Sequence, residues 1–280
     1  MSEKKQAIKV FLSEIVIFCL ILCLGIFSAL QAKKLISGQE IEVSKISFQE
    51  FIIYFALGTL FILLIVYSPR VKRHQAKIYK IFFGFSFLFG SLFIFSLFLI
   101  DIFSIPLIVL LFLFWLKKPN VLMHNILVIL GLSGLGYFFG LAIEPRTVIL
   151  LLLVLSFYDF IAVYKTKHMI KMAGSMLRHG AVMGIIIPQR FRDFLTDVKK
   201  VKPGGKFMVL GGGDIVFPLM FSVSMLEKGL TQSIIVALFS LFGLIATFLF
   251  FFLQKEKKPI PALPLIALFS IIGYIITIIC

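Results

Sequence analysis

Long uninterrupted apolar runs dominate the pattern of hydrophobic and polar positions along the chain. A helix rises 1.5 Å per residue, so about 20 apolar residues cross the hydrocarbon core of a bilayer. The run Ile81–Leu116 is nearly twice that long and is interrupted only by Asp101, so we divide it near Asp101–Pro106. The pattern then predicts nine spans: Val10–Leu30, Glu50–Tyr67, two within Ile81–Leu116, Val121–Ile143, Thr147–Val163, Phe207–Leu226, Thr231–Leu253 and Pro259–Ile279.

The composition supports an all-α integral membrane protein. Hydrophobic residues make up 60% of the chain and charged residues only 15%, whereas a soluble domain is about half apolar and a quarter charged. This excludes a water-soluble globular enzyme, a disordered chain and a disulfide scaffold. The net charge of +15 would suit a nucleic acid, but little soluble mass could carry one, so no such partner is expected. Cys19 and Cys23 share one helix face without an accompanying His, which favours packing over metal binding.

The distribution of basic residues predicts the orientation of the chain in the membrane. With nine spans, 23 of the 28 Lys and Arg residues fall on one side and 5 on the other. The positive-inside rule places the N-terminus in the cytoplasm and the C-terminal Cys280 outside. We therefore expect one membrane domain, in which residues 1–163 hold six spans, residues 164–206 form a basic cytoplasmic loop and residues 207–280 hold three spans.

Two acidic residues, Asp159 and Asp214, stand inside predicted spans. A carboxylate is costly there and usually faces the interior of a helix bundle. Asp159 lies about 7 Å and Asp214 about 10 Å from the cytoplasmic end of its span, on consecutive antiparallel spans, so the two can face each other. Glu14 and Glu50 lie close to helix ends, and we expect their carboxylates to reach the membrane surface.

Two facing carboxylates in a low dielectric cannot both ionise cheaply, so such a pair shares one proton. That is the state of an aspartic protease, in which one carboxylate takes a proton from water and the other, protonated, polarises the peptide carbonyl. A proton-coupled transporter or cation channel could use the same acids, and would show ion flux without peptide products. A structural alternative is a buried, hydrogen-bonded acid pair that only holds helices together, and an assembly scaffold would tolerate Asn at both positions.

Two further motifs lie at a similar depth. Gly211–Gly213 directly precede Asp214; glycines weaken a helix, permit extended backbone and allow another chain to approach closely. A protease needs an unwound substrate segment beside its acid. Pro261–Pro264 begin the ninth span, and the two prolines resist a regular first turn. Gly136 and Gly140, in contrast, form a common helix-packing pair in the fifth span.

Together these elements resemble the presenilin and signal peptide peptidase family of intramembrane aspartyl proteases, the Gly-x-Gly-Asp type. Tyr158-Asp159 is similar to the family's Tyr-Asp motif in the sixth span, Gly211 to Asp214 to its Gly-x-Gly-Asp motif in the seventh, and Pro261 to Pro264 to its Pro-Ala-Leu-Pro motif in the ninth. The resemblance implies that Asp159 and Asp214 are the catalytic dyad. It also implies a set of site-shaping residues: Tyr158, Gly211, Gly212, Gly213, Pro261, Ala262, Leu263 and Pro264.

The resemblance has consequences for substrates and partners. It implies an endopeptidase that cuts transmembrane helical segments of other proteins within the lipid bilayer, with no metal and no organic cofactor. The N-terminus inside is similar to presenilin rather than to signal peptide peptidase. The short loops are similar to those of archaeal homologues, which implies an archaeal cell membrane and no obligatory protein subunits; self-association into a homo-oligomer is compatible with the family.

The basic loop contains one apolar, partly β-branched segment, Ala181–Pro188. We expect it to form an edge strand to which an extended substrate can pair; a short interfacial helix is the alternative. His124, near the edge of the fifth span, and His168 and His179, in the basic loop, show no metal-ligand spacing and are expected to be non-catalytic.

Overall fold

The computed structural model describes residues 3–38, 45–54, 56–57, 75–99, 101–202, 206–254 and 259–279. Residues 48–54 are helical, and the other α-helices and both strands are named here in chain order: α1 (Glu3–Gly38), α2 (Gln75–Phe98), α3 (Asp101–Lys117), α4 (Val121–Ala142), α5 (Pro145–Phe160), α6 (His168–Arg178), β1 (Gly184–Pro188), β2 (Phe207–Gly211), α7 (Gly213–Ser224), α8 (Leu230–Leu253) and α9 (Leu263–Ile279). A π-helical turn, Ile161–Lys165, extends α5, and short 3-10 turns occupy Phe191–Leu195, Val198–Lys200 and Met225–Glu227.

The helices agree with most of the predicted spans. In the described part of the chain, five helical segments are long and apolar enough to cross a membrane: Ile8–Ser37, Lys77–Phe98, Val121–Ala142, Pro145–Lys165 and Leu230–Leu253. The helices α3 and α9 are apolar but shorter. The predicted break near Asp101 is confirmed, because α2 ends at Phe98 and α3 begins at Asp101. Of the predicted second span, residues 55 and 58–67 lie outside the described residues, as does Cys280.

The predicted start of the seventh span at Phe207 is wrong. Residues Phe207–Gly211 form β2, and the helix begins only at Gly213. β2 runs antiparallel to β1, with Gly184 opposite Gly211 and Pro188 opposite Phe207. The strand prediction for the apolar loop segment is thereby confirmed and the interfacial-helix alternative is wrong. The glycines explain the late helix start, since they favour extended backbone more than a first helical turn.

Helix α4 lies at the centre of the bundle, where it packs against α1, α2, α7 and β1. Small residues allow this close packing. A Cβ on Gly134 would overlap the main chain of Gly90 in α2, and one on Gly136 would overlap the Leu219 side chain in α7. A Cβ on Gly140 would lie 2.9 Å from the Met220 carbonyl oxygen. The packing role predicted for Gly136 and Gly140 is confirmed, because each brings α4 against α7.

The Gly90–Gly134 contact generates a stability prediction. We expect Gly134→Ala to lower the melting temperature in detergent, at a cost of about 1–3 kcal/mol, because backbone atoms of α2 cannot move aside as a flexible side chain would. Gly174→Ala in α6 is the matched control, since a Cβ there meets nothing within 4 Å. The control should be neutral or stabilising by up to about 1 kcal/mol. An equal loss in both variants would contradict the packing explanation.

Candidate active site

Helices α5, α7 and α9 pack against one another around a shared apolar cluster that includes Leu152, Phe221 and Leu263. Asp159 follows Leu152 by seven residues, so it lies on the same buried face of α5. Asp214 precedes Phe221 by seven residues and lies on the corresponding face of α7. Helical periodicity therefore directs both acids toward the region where the three helices meet.

Asp159 lies one residue before the end of α5. Its side chain is only 5% exposed, and its Oδ2 atom is buried without a hydrogen-bond partner among the described residues. The π-helical turn that follows, Ile161–Lys165, changes the helix geometry directly after the acid. Such turns occur frequently at functional sites.

Asp214 is the second residue of α7, directly after the change from strand to helix. Its half-buried carboxylate lies in the first helical turn, where the free N–H groups and the helix dipole favour a negative charge. The Gly211 main-chain N–H also lies in hydrogen-bonding range of this carboxyl group. A Cβ on Gly211 would lie 2.9 Å from Asp214 Oδ2. The end of β2 and the acid are therefore in direct contact.

Leu263, the first residue of α9, lies beside both acids. Its main-chain N–H lies in hydrogen-bonding range of both carboxyl groups, and Asp214 interacts electrostatically with Asp159. The N–H is available because the first turn of a helix has no internal acceptors for its donors. Pro261 and Pro264 lie on either side of it, and Pro261, Ala262 and Leu263 are buried. This is the helix start that the Pro-Ala-Leu-Pro motif predicts.

The structure thus brings together Asp159, Asp214, the glycines and the residues at the start of α9. It does not place Tyr158 with them. The Tyr158 side chain is 58% exposed and lies outside the packed interior of the bundle. Consecutive side chains of an α-helix are rotated by about 100° around its axis, so Tyr158 points away from its neighbour Asp159. The site-shaping role of Tyr158 stays a prediction, since exposure of its side chain does not prevent contact with a substrate.

The expectation that the Glu14 carboxylate reaches the membrane surface is wrong. Its side chain on α1 is 2% exposed, and one carboxyl oxygen is buried without a described partner. It interacts electrostatically with Asp214. The carboxylate therefore does not reach the membrane surface, because α1 packs against α4, α7 and α8 along this part of its length. Glu50, in contrast, is exposed and accepts hydrogen bonds from Ser47.

The outer edge of β1, the edge away from β2, is occupied by side chains of α4. Asn125 Nδ2 donates to the Ile186 carbonyl oxygen at 2.7 Å, and the Ile186 N–H donates to Asn125 Oδ1 at 3.0 Å. His124 Nε2 lies 3.1 Å from the Gly184 carbonyl oxygen. The expectation that the segment of β1 offers an edge to a substrate is therefore wrong. Sequence reasoning missed these two roles, since nothing in the sequence pairs α4 with the loop.

The open edge of the sheet belongs to β2. In an antiparallel pair, alternate residues point their N–H and C=O groups away from the partner strand. The bonds from Gly212 N to Met183 O and from Gln189 N to Lys206 O place Phe207, Val209 and Gly211 in that outward set. No described residue bonds to the outward N–H and C=O of Val209. This edge leads to Gly211 and so to Asp214.

An acid pair shared by packed apolar helices, beside an open strand edge, has the chemical groups of an aspartyl protease in a membrane. In the described residues, no group of three or more His, Cys, Asp or Glu side chains could hold a metal ion. The family model for signal-peptide peptidase and presenilin aspartyl proteases matches residues 13–280. The chain therefore belongs to this family, and the protein is an intramembrane aspartyl protease.

Solved structures share this fold. One structure of a presenilin family intramembrane aspartate protease, in space group C222, is similar with a TM-score of 0.62 at 21% identity, covering 95% of each chain. A second, in space group P2, gives a TM-score of 0.64 at 20% identity, covering 96% of this chain and 97% of the other. No curated protein sequence matches. The family resemblance inferred from the motifs is confirmed.

The contact between Gly211 and Asp214 generates a prediction on catalysis. We expect Gly211→Ala to lower kcat about 10- to 100-fold, because the added Cβ displaces a carboxylate whose position the reaction requires. Gly212→Ala is the comparison, since its Cβ would meet Met183 O at 3.2 Å and a Leu132 methyl at 3.3 Å, not the acid. Its loss in kcat should be smaller. Steady-state kinetics with melting curves separates the two, and a larger loss in Gly212→Ala would contradict this account.

Proposed function

We propose that Asp159 and Asp214 are the catalytic pair that hydrolyses peptide bonds within transmembrane segments. One carboxylate takes a proton from the attacking water. The other, protonated, polarises the scissile carbonyl and later protonates the leaving nitrogen. The observation that carries the proposal is the convergence of both carboxyl groups, from two helices, on the single N–H of Leu263.

The surroundings of the pair suit this chemistry. A buried carboxyl oxygen without a protein partner, such as Asp159 Oδ2, is costly unless it bonds to a shared proton, to water or to substrate. The Leu263 N–H lies near both carboxyl groups and carries no formal charge. The pair can therefore keep one proton between its members, which the reaction needs.

Substrate recognition is proposed to use the open edge of β2. A peptide bond inside a helix is shielded by neighbouring turns, so the substrate must be extended where it is cut. An extended segment can pair with the outward N–H and C=O of Val209 by β-augmentation. Since β2 ends at Gly211, which contacts Asp214, a paired segment would run directly toward the acids.

We propose the nine-span arrangement with the N-terminus in the cytoplasm. It rests on the distribution of Lys and Arg, 23 against 5, and on the positive-inside rule. In this arrangement, residues 1–163 and 207–280 are the two parts of one membrane domain, and residues 164–206 connect them on the cytoplasmic side. An archaeal cell membrane and action without obligatory subunits belong to the same proposal.

The competing interpretation is a proton-coupled transporter or cation channel that uses the same two acids. Membership of an aspartyl protease family does not favour it. The two interpretations differ in their products, since a protease releases new peptide termini and a transporter does not.

The dyad is tested by mass spectrometry of a single-span peptide incubated with the purified protein. We expect wild type to cut within the hydrophobic stretch. Asp159→Asn and Asp214→Asn should each lower the activity at least about 1,000-fold, because the single acid left in each variant cannot carry out both proton transfers. Asp101→Asn, an acid at the start of α3, is the matched control and should cut normally. Cuts that persist in either dyad variant would refute the assignment, and acid-dependent ion flux without products would favour the transporter.

The β2 edge is tested by removing a single outward donor. Val209→Pro lacks the N–H that faces away from β1, so the ladder with β1 is retained while substrate pairing is weakened. We expect kcat/KM to fall about tenfold or more, which is the effect of losing roughly one hydrogen bond and its strand geometry. Val209→Ala keeps the N–H and controls for the lost side chain. Equal kcat/KM in wild type and Val209→Pro would show that the substrate does not pair at this edge.

A further inference from the structure

The edge of β1 that faces away from β2 forms hydrogen bonds with the Asn125 side chain, which takes the place of a third strand. A neighbouring antiparallel strand exchanges two hydrogen bonds, one with the N–H and one with the C=O of the same residue. The Asn125 carboxamide makes this exchange with Ile186, at 3.0 Å and 2.7 Å. His124, the preceding residue on α4, bonds to the carbonyl of Gly184, two residues earlier on the strand.

The two side chains are held firmly on the α4 side. Asn125 is 3% exposed and His124 is fully buried. The His124 ring is stacked on Phe83 of α2, with centroids 4.9 Å apart and an interplanar angle of 19°. Ile186 is fully buried as well. Without Asn125, both main-chain groups of Ile186 would be left without partners in an apolar interior, which proteins avoid.

The strand so fixed is connected to the active site by close backbone contacts. Gly212, two residues before Asp214, donates its N–H to Met183 O at 3.0 Å. A Cβ on Gly184 would overlap the carbonyl oxygen of Leu210 in β2. There is no room at this point for β2 to slide along β1. The position of Asp214 relative to α4 therefore depends on where Asn125 holds β1.

We propose that Asn125, with His124, is a positioning residue that sets the register of the β1–β2 sheet relative to Asp214, and thereby the peptide bond at which a substrate is cut. The inference rests on the proposed function, in which a substrate pairs with the open edge of β2. It assigns the α4 edge a second effect, because a strand edge occupied by side chains cannot accept a substrate in the wrong place. The carboxamide is suited to both tasks since it carries one donor group and one acceptor.

Two substitutions at Asn125 separate positioning from mere stability. Asn125→Leu removes both bonds but keeps a side chain of similar size, and Asn125→Ala removes both bonds with a smaller side chain. We expect both variants to produce additional cuts about one or two residues from the wild-type position, with kcat per active site reduced. The reason is that the β1–β2 pair, which moves as one unit, is no longer held at one position relative to the acids. Products are read by mass spectrometry, and active sites are titrated with a tight-binding aspartyl protease inhibitor.

Asn120→Leu is the matched control on the same helix. Asn120 caps α4 by accepting the Met123 N–H at 2.8 Å, so its loss weakens the helix without breaking the bonds to Ile186. It should lower the melting temperature while the cut position is unchanged. Wild-type cut positions and wild-type kcat per active site in both Asn125 variants would overturn the proposal.

Hydrogen exchange supplies a readout that does not depend on activity. Peptides covering residues 184–188 and 207–211 should exchange about tenfold faster or more in Asn125→Leu than in wild type, because the strand loses its anchoring bonds. Unchanged exchange in both segments would also overturn the proposal. If wild type cuts no peptide, the proposed function fails, and the exchange comparison still decides whether Asn125 anchors the sheet.

Discussion

Backbone that leaves the helical form inside an apolar bundle must find its hydrogen-bond partners within the protein, because hydrocarbon offers none. For β1, the described structure meets this requirement with β2 on one side and the Asn125 carboxamide on the other. The active site depends on this arrangement, since Asp214 follows β2 by only three residues. β1, which supports β2 beside the acid, has both edges occupied because α4 supplies the groups that a third strand would have supplied.

The same requirement explains why the site is built from residues that weaken helices. Three glycines precede Asp214, and two prolines lie on either side of the N–H that reaches both acids. In an ordinary bundle these residues would only reduce stability. Here they release main-chain groups from helical bonding and make them available to carboxylates and to an extended chain. Local departures from good helix-forming sequence are typical of functional sites.

Much of the site could be predicted from the sequence because its components are expensive in a membrane. Three features each lower the stability of a membrane helix: an acid in an apolar span, a glycine triplet and a Pro-x-x-Pro helix start. Because all three lie at a similar depth in the membrane, they were predicted to form one functional site. The expectations that failed were of another kind. Glu14 was judged from its distance to a helix end, but its burial depends on which helix face is packed. Phe207–Gly211 were judged by hydrophobicity, which does not separate a buried strand from a helix.

The residue pattern alone was enough to identify a helical membrane protein, to locate most of its helices and to select the two acids that are candidates for catalysis. These features follow from the composition of each segment and the length of its apolar run, which can be read without knowing the segment's contacts in the fold. The tertiary structure decided that β1 is closed by α4, that β2 holds the open edge and that Glu14 faces inward. Each depends on contacts between segments far apart in the chain, such as Asn125 with Ile186. In helices that are apolar nearly all round, the residue pattern identifies the helix but specifies neither the face that packs nor the partner against which it packs.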